Sequence, residues 1–403
     1  MPPADYAEMV RFFDEPYDFP AEWAEVKLYT PEFQAAIRLF QEEAAKIGGG
    51  LAGAVPSRTS DQRPYQEDYQ AILQRGAELT PAEWAAAELN IRETTGYLTA
   101  WSTLSQHHDY EMEAIPIQAP SPTPWPDYLN FLELQRTTRF LCLRSHLLAR
   151  NAAWAEAFSS ALSPLRIVQR HPASILSAHL VGIACERIAD RSIARLAIQC
   201  PERASIEEAL HEMNRLDSRL HRDNLEEAWK TDVIGSLRVY KRRDNVEFDL
   251  NPGRAGIYYF RKSLEVYKRH VGLPQPLGIV VPTTFWARFM GAEEWAYYTL
   301  SHSNPMEPQF RFKVTKTEFD LARLLLANRL RELDGEAKTS ELTDLIPKWL
   351  PSSPNDPFAD KPYLWDAAHG TFYGIGPDQR DDGNSIRYDP TNGTKTTGDI
   401  ALP

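Results

Sequence analysis

Cysteine is scarce, with three residues, Cys142, Cys185 and Cys200, in a chain of 403. Three thiols cannot staple a fold of this length, and no C-x-x-C spacing occurs that would suit zinc or dithiol redox chemistry. Cys142 and Cys185 fall in apolar helical stretches, where cysteine serves as a small hydrophobe. A disulfide between Cys185 and Cys200 would require the chain to turn back between them. Positive charge is also short: 44 Lys+Arg against 56 Asp+Glu give a formal net charge of −12, which argues against a nucleic-acid partner. No apolar run reaches 18 residues, so no membrane span is expected. Met1-Pro2-Pro3-Ala4-Asp5 lacks the basic n-region and apolar stretch of a signal peptide. The expected location is the cytoplasm, or the periplasm or cell envelope if an export segment has been removed. A G-x-S-x-G elbow and a phosphate loop are missing too, and Gly48-Gly49-Gly50-Leu51-Ala52-Gly53 has no Lys to hold a phosphate.

What is present is ample apolar content, 43% of residues, and a helical rhythm. That length and mix can bury a large core, and length alone suggests two to three domains. Thr30-Pro31-Glu32 opens a helix that Gly48 ends, and Thr80-Pro81-Ala82-Glu83 opens another running towards His107. Pro116, Pro120, Pro122, Pro124 and Pro126 mark a Pro-rich connector over about 115–127. From Tyr128 to Tyr240 the pattern is helix after helix, with apolar residues such as Leu134, Leu141 and Leu148 near helical spacing. Ser205-Ile206-Glu207-Glu208 reads as a further capping box after Pro201. Additional helices are expected at Ile257–His270, Thr283–Leu300 and Thr317–Leu333. Past Pro351 the texture turns to Pro, Gly, Asp and Asn, with short aromatic strands at Tyr363-Leu364-Trp365 and Thr371-Phe372-Tyr373.

Candidate chemistry is sparse in the body. His211-Glu212-Met213-Asn214-Arg215 with His221 copies part of a zinc-protease pattern, but Arg215 stands at the second ligand position and a cation cannot replace imidazole on zinc. His107-His108-Asp109 could supply ligands or a base, and also suits a plain helix end, where a cationic His is favoured by the dipole. Lys241-Arg242-Arg243 and Arg261-Lys262 read as solvated basic clusters. The tail differs. Asp378-Gln379-Arg380-Asp381-Asp382-Gly383 crowds three carboxylates beside a glycine, and Asp389 and Asp399 follow. Carboxylates packed into a turn repel unless a cation or water separates them, and a hard cation such as calcium takes such oxygens together with loop carbonyls. An EF-hand is excluded, because Arg380 and Asp389 fall at ligand positions that demand other residues.

The last 60 or so residues carry an ordered set of motifs. Leu342-Thr343-Asp344-Leu345-Ile346-Pro347-Lys348-Trp349-Leu350-Pro351 precedes Asn355-Asp356-Pro357-Phe358. Lys361-Pro362-Tyr363-Leu364-Trp365 and Phe372-Tyr373-Gly374-Ile375-Gly376-Pro377-Asp378 follow, and Tyr388-Asp389-Pro390-Thr391-Asn392-Gly393-Thr394 and Gly398-Asp399-Ile400 complete the set. Together they resemble the C-terminal part of type II secretion major pseudopilins. More loosely, the helical body resembles helical envelope-type proteins of planctomycete and verrucomicrobial bacteria that have no assigned reaction, in which a helical region like Leu132–Arg238 precedes this same tail. The pseudopilin resemblance implies a Ca2+-clamped C-terminal loop, with side-chain ligands at Asp378 and Asp399 and a carbonyl near Ile375. Asp381 joins them by proximity. The pattern departs at Gln379, where glycine is usual, at Asp382-Gly383, which replaces a Gly-Gly pair, and at Ala337-Lys338, which replaces Tyr-Pro. Nor does an apolar N-terminal helix open the chain.

The expected fold is mainly α: a multi-helix body over residues 1–312 and a small C-terminal α+β pseudopilin-like module over 313–403 with a long loop-rich tail. The expected function is a non-enzymatic structural or protein-interaction component of the bacterial cell envelope, with a protein partner and no nucleic acid. Two alternatives stand beside it. One is a hydrolase-type enzyme using His107, His108, His211 or His221 with carboxylates between helices of the body. The other is a secretion-filament subunit.

Overall fold

The computed structural model describes residues 31–47, 80–107, 131–168, 176–220, 306–389 and 397–402. The helices expected at Ile257–His270 and Thr283–Leu300, the Pro-rich connector, and His108, Asp109 and His221 lie outside them. Among the described residues there are seven α-helices and two small antiparallel sheets. None of those helices is long and apolar enough to cross a membrane.

Helix α1, Pro31–Lys46, and helix α2, Pro81–Ser105, start where proline fits the first turn. The Thr80 carbonyl accepts the Trp84 N–H at 3.0 Å to begin α2. The pair is locked by Phe40, whose ring centroid lies 5.3 Å from Tyr97 and 5.1 Å from Trp101, the latter edge-on. Helix α3, Phe131–Arg150, passes to helix α4, Trp154–Val168, through Ala152 in the left-handed region at φ 59°. The N–H groups of Ala152 and Ala153 reach the carbonyls of Ala149 and Leu148, which closes the end of α3. Helix α5, Leu176–Gln199, is unbroken through Cys185, and all three cysteines are buried and free. A Cβ on Gly182 would lie 3.1 Å from Val168, so the small residue there lets α5 approach α4 closely.

Helix α6, Arg203–Leu220, begins earlier than the Ser205 motif suggested. Glu202 holds the capping position, and the Ser205 hydroxyl donates back to its carboxylate at 2.9 Å, reversing the expected roles. Helix α7, Met306–Leu333, is longer than Thr317–Leu333 and contains the expected boundary between residues 312 and 313. It packs along α5 and α6 on one side and against the sheet on the other, so body and C-terminal region share one core. Gly335, at φ +81°, ends it with the same two-bond closure that Ala152 makes after α3.

The chain then doubles back along α7. Asn328 exchanges two hydrogen bonds with the backbone of Thr339, at 3.2 and 3.0 Å, and Leu342, Leu345 and Leu350 enter the core. Strands β1, Asn355–Asp356, and β2, Lys361–Pro362, pair antiparallel. Strands β3, Leu364–Asp366, and β4, Thr371–Gly374, form the hairpin expected from the aromatic segments, with Trp365 opposite Phe372. Strand β5, Ile400–Ala401, returns from the tail to pair with Gly374 and Tyr373.

Candidate functional site

The loop between β4 and β5 is strapped across itself. The N–H of Asp399 donates to the Ile386 carbonyl at 2.8 Å, and Tyr388 N–H donates to the Asp399 carbonyl at 2.9 Å. This close crossing needs glycine: a Cβ on Gly376 would sit 2.1 Å from the Gly398 carbonyl oxygen, and both glycines have positive φ.

Within the strap the four residues expected to hold a metal fall into two sets. Asp399 is fully buried, and its Oδ2 accepts the N–H groups of Asn384 at 2.7 Å and Asp382 at 3.2 Å. Its other oxygen, Oδ1, is buried without a hydrogen-bond donor among the described residues. Asp378 closes the loop neck, accepting Gly398 N–H at 3.1 Å and Arg380 N–H at 3.3 Å. Asp381 Oδ1 takes the Tyr373 hydroxyl and the Gly383 N–H, each at 2.9 Å. Ile375 sits at the end of β4 with its N–H given to Asp356 Oδ2 at 2.8 Å.

Sequence reasoning missed Asn384. Its amide donates to Asp366 Oδ2 at 2.6 Å, while its Oδ1 is buried and lacks a donor among the described residues. Asp366 is in turn held by Asn384, the His369 ring and the N–H groups of His369 and Ala368, which bring its carboxyl down to about 2. The only signal was an Asn immediately after Asp382-Gly383, a turn residue in a turn. Burial pushes the Asp399 carboxyl up to about 6, helped by the nearby charges of Asp381 and Asp382 and opposed by the two backbone N–H groups.

Two buried side-chain oxygens without donors, beside further carboxylates, are hard donors suited to calcium rather than to zinc or copper. Among the described residues, however, no three His, Cys, Asp or Glu side chains form a ready metal cage. For such an ion these side chains would supply only part of a coordination sphere.

The helical body holds a second polar concentration. Glu318 of α7 is buried between Arg187 and Arg191 of α5, 2.9 and 2.5 Å away. Burial alone would raise its carboxyl, but the two guanidinium groups bring it down to about 2. One turn along, Lys316 bridges Asp217 of α6 and Asp320 of α7, Arg323 binds Asp217, Asp320 and Asn214, and the Tyr363 hydroxyl donates to Asp320. Asp190 lies in this interface fully buried, with no hydrogen-bond donor to either carboxylate oxygen among the described residues.

Of the histidines in the alternative enzyme reading, His107 and His211 are among the described residues. His107 lies two residues past the end of α2, and His211 is exposed on α6. Glu212 is tied to Arg166 and Arg215 at 2.9 and 2.7 Å, and these arginines outweigh burial and hold it down to about 2. No family model, curated protein or solved structure matches the chain.

Proposed function

We propose that the protein is a non-catalytic structural or protein-interaction component of the bacterial cell envelope whose C-terminal loop is clamped by calcium. The observation carrying this reading is the buried Asp399 Oδ1, an anionic oxygen with no donor, in a loop crossed by its own return strand. A buried carboxylate in that condition is costly unless it is protonated or meets a cation. Asp399 and Asn384 would hold the ion through their free oxygens, with Asp378 and Asp381 lining the approach and a carbonyl near Ile375 completing the set. Bound calcium would supply positive charge that offsets the repulsion among Asp381, Asp382 and Asp399. Few charged ligands imply weak binding, on the order of 10⁻⁴–10⁻³ M, which fits calcium-rich extracytoplasmic surroundings.

Calorimetric titration of calcium into chelator-stripped protein tests the reading. One saturable site, lost in Asp399→Ala and weakened in Asp378→Ala, is expected. Heat no greater than dilution at millimolar calcium overturns it.

A further inference from the structure

A groove of about 280 Å³ opens between the C-terminal ends of α5 and α7 and the β3–β4 turn, with Arg387 of the strap and Leu402 after β5 completing its wall. Its floor is apolar, made by Leu325, Phe372 and Leu402, and Ile198 extends from α5 along its edge with 49% of its surface exposed. The rim is cationic. Arg329, Lys338 and Arg387 face a single acid, Glu332, in a chain whose net charge is −12.

The three cations differ in how far they are committed. Arg329 is held, donating to the Cys200 carbonyl at 3.3 and 3.1 Å and to Glu332 at 3.1 Å. Lys338 is exposed and touches Glu332 only at 3.7 Å. Arg387 is exposed, and its guanidinium makes no ion pair among the described residues. Arg387, and Lys338 beyond its 3.7 Å contact with Glu332, can thus reach across an apolar trough.

We infer that this groove docks an acidic, apolar-anchored peptide segment of a protein partner. The groove has room for one or two apolar side chains of a peptide laid along it. Charge selects the sequence, because an apolar residue seated on Phe372 and Leu402 puts its neighbours beside Lys338 and Arg387, where carboxylates are favoured. An aliphatic side chain as exposed as Ile198 at the edge of such a trough gains by being covered. The inference rests on the interaction reading above and names the partner's chemistry. It uses none of the Asp399 loop's oxygens, and although Arg387 is bridged to Asp399 in the strap, Ile198 and Lys338 lie outside it and keep the two readings distinguishable.

The probe is a fluorescein-labelled, capped peptide, Asp-Leu-Asp-Phe-Glu-Leu, with a counterpart carrying Lys at each acidic position. Fluorescence polarisation with the full chain is run in calcium and again in chelator. Saturable binding of the acidic peptide in the ten-to-hundred micromolar range, roughly −5 to −7 kcal/mol, is expected, with at least about tenfold weaker binding of the Lys counterpart. Lys338→Glu/Arg387→Glu should abolish binding, and Ile198→Asp, which lies on α5 away from the Asp399 loop, should weaken it several-fold with melting temperature and calcium isotherm unchanged. Equal affinity for both peptides, no saturation by ~1 mM, or wild-type binding by the double variant overturns the inference. Loss of calcium binding with peptide binding intact would instead overturn the calcium clamp and leave the groove standing.

Discussion

Without a cation Asp399 carries a pH dependence that a bound calcium ion would reverse. Its folded carboxyl is held up to about 6 from an ordinary value of 3.8, so between those values the unfolded loop loses its proton first. Loop stability without metal therefore falls as pH rises from about 4 to about 6, and is lowest above that window. Calcium competes with the same proton, so its affinity should drop below about pH 6. Hydrogen exchange of a peptic fragment containing Asp399, corrected for intrinsic rates, is expected to show protection at pH 5 without calcium, loss at pH 7, and recovery at pH 7 with calcium. Asp399→Asn should remove both dependences. Gly376 is the second sensitive residue. Gly376→Ala would force a Cβ onto the Gly398 carbonyl at a φ of +68°, costing about 2 kcal/mol or more of loop stability. Its calcium isotherm should weaken or vanish while the helical far-UV signal stays unchanged.

Helix ends and helix contacts divide into features the sequence announces and features it does not. Gly335 and Ala152 occupy the same left-handed position after α7 and α3, but only the glycine takes it without steric cost. Ala152→Gly is therefore expected to raise stability by about 0.5–1 kcal/mol, read as a shifted urea midpoint at constant slope. Along α5 and α7, Glu318→Ala would leave Arg187 and Arg191 facing each other in a buried site and should cost about 3–5 kcal/mol. Replacing Asp190, which has no hydrogen-bond partner among the described residues, with Leu should cost nothing or stabilise in the same urea titration. The starts of α1 and α2 were legible because Pro31 and Pro81 each follow a threonine, and the β3–β4 hairpin because aromatic residues flank Gly370. The start of α6 was not, since Glu202 and Ser205 can each cap and only the backbone decides between them. The first turns of α7 were hidden because Gln309, Arg311 and Lys313 interrupt the apolar rhythm. In the candidate site, the acids of the tail were visible as a local cluster. The pairing of Asn384 with Asp366 was not, because it spans 18 residues and depends on a strand returning to the sheet.

Across the whole molecule, buried acids pull stability in two directions with pH. Burial raises Glu186 to about 8 and lifts Asp190 well above its ordinary value, with Glu318, Asp320 and Lys316 as charged neighbours of Asp190. Their unfavourable contribution accumulates as pH rises from about 4.5 towards 8, where the unfolded chain ionises before the folded one. Glu318 and Glu212, held at about 2, stabilise above pH 4.5 and lose that contribution as pH falls towards 2. Thermal melts should therefore peak near pH 5 in the full chain, and Glu186→Gln should flatten the decline on the alkaline side. The α5–α7 pairing also has a history during synthesis. Arg187 is 131 residues ahead of its partner Glu318, an interval of roughly 7–26 s at about 5–20 residues per second on the ribosome. Until α7 emerges, Glu186, Arg187, Asp190 and Arg191 can keep their water, so the face of α5 destined for burial stays hydrated in the nascent chain and offers little that sticks.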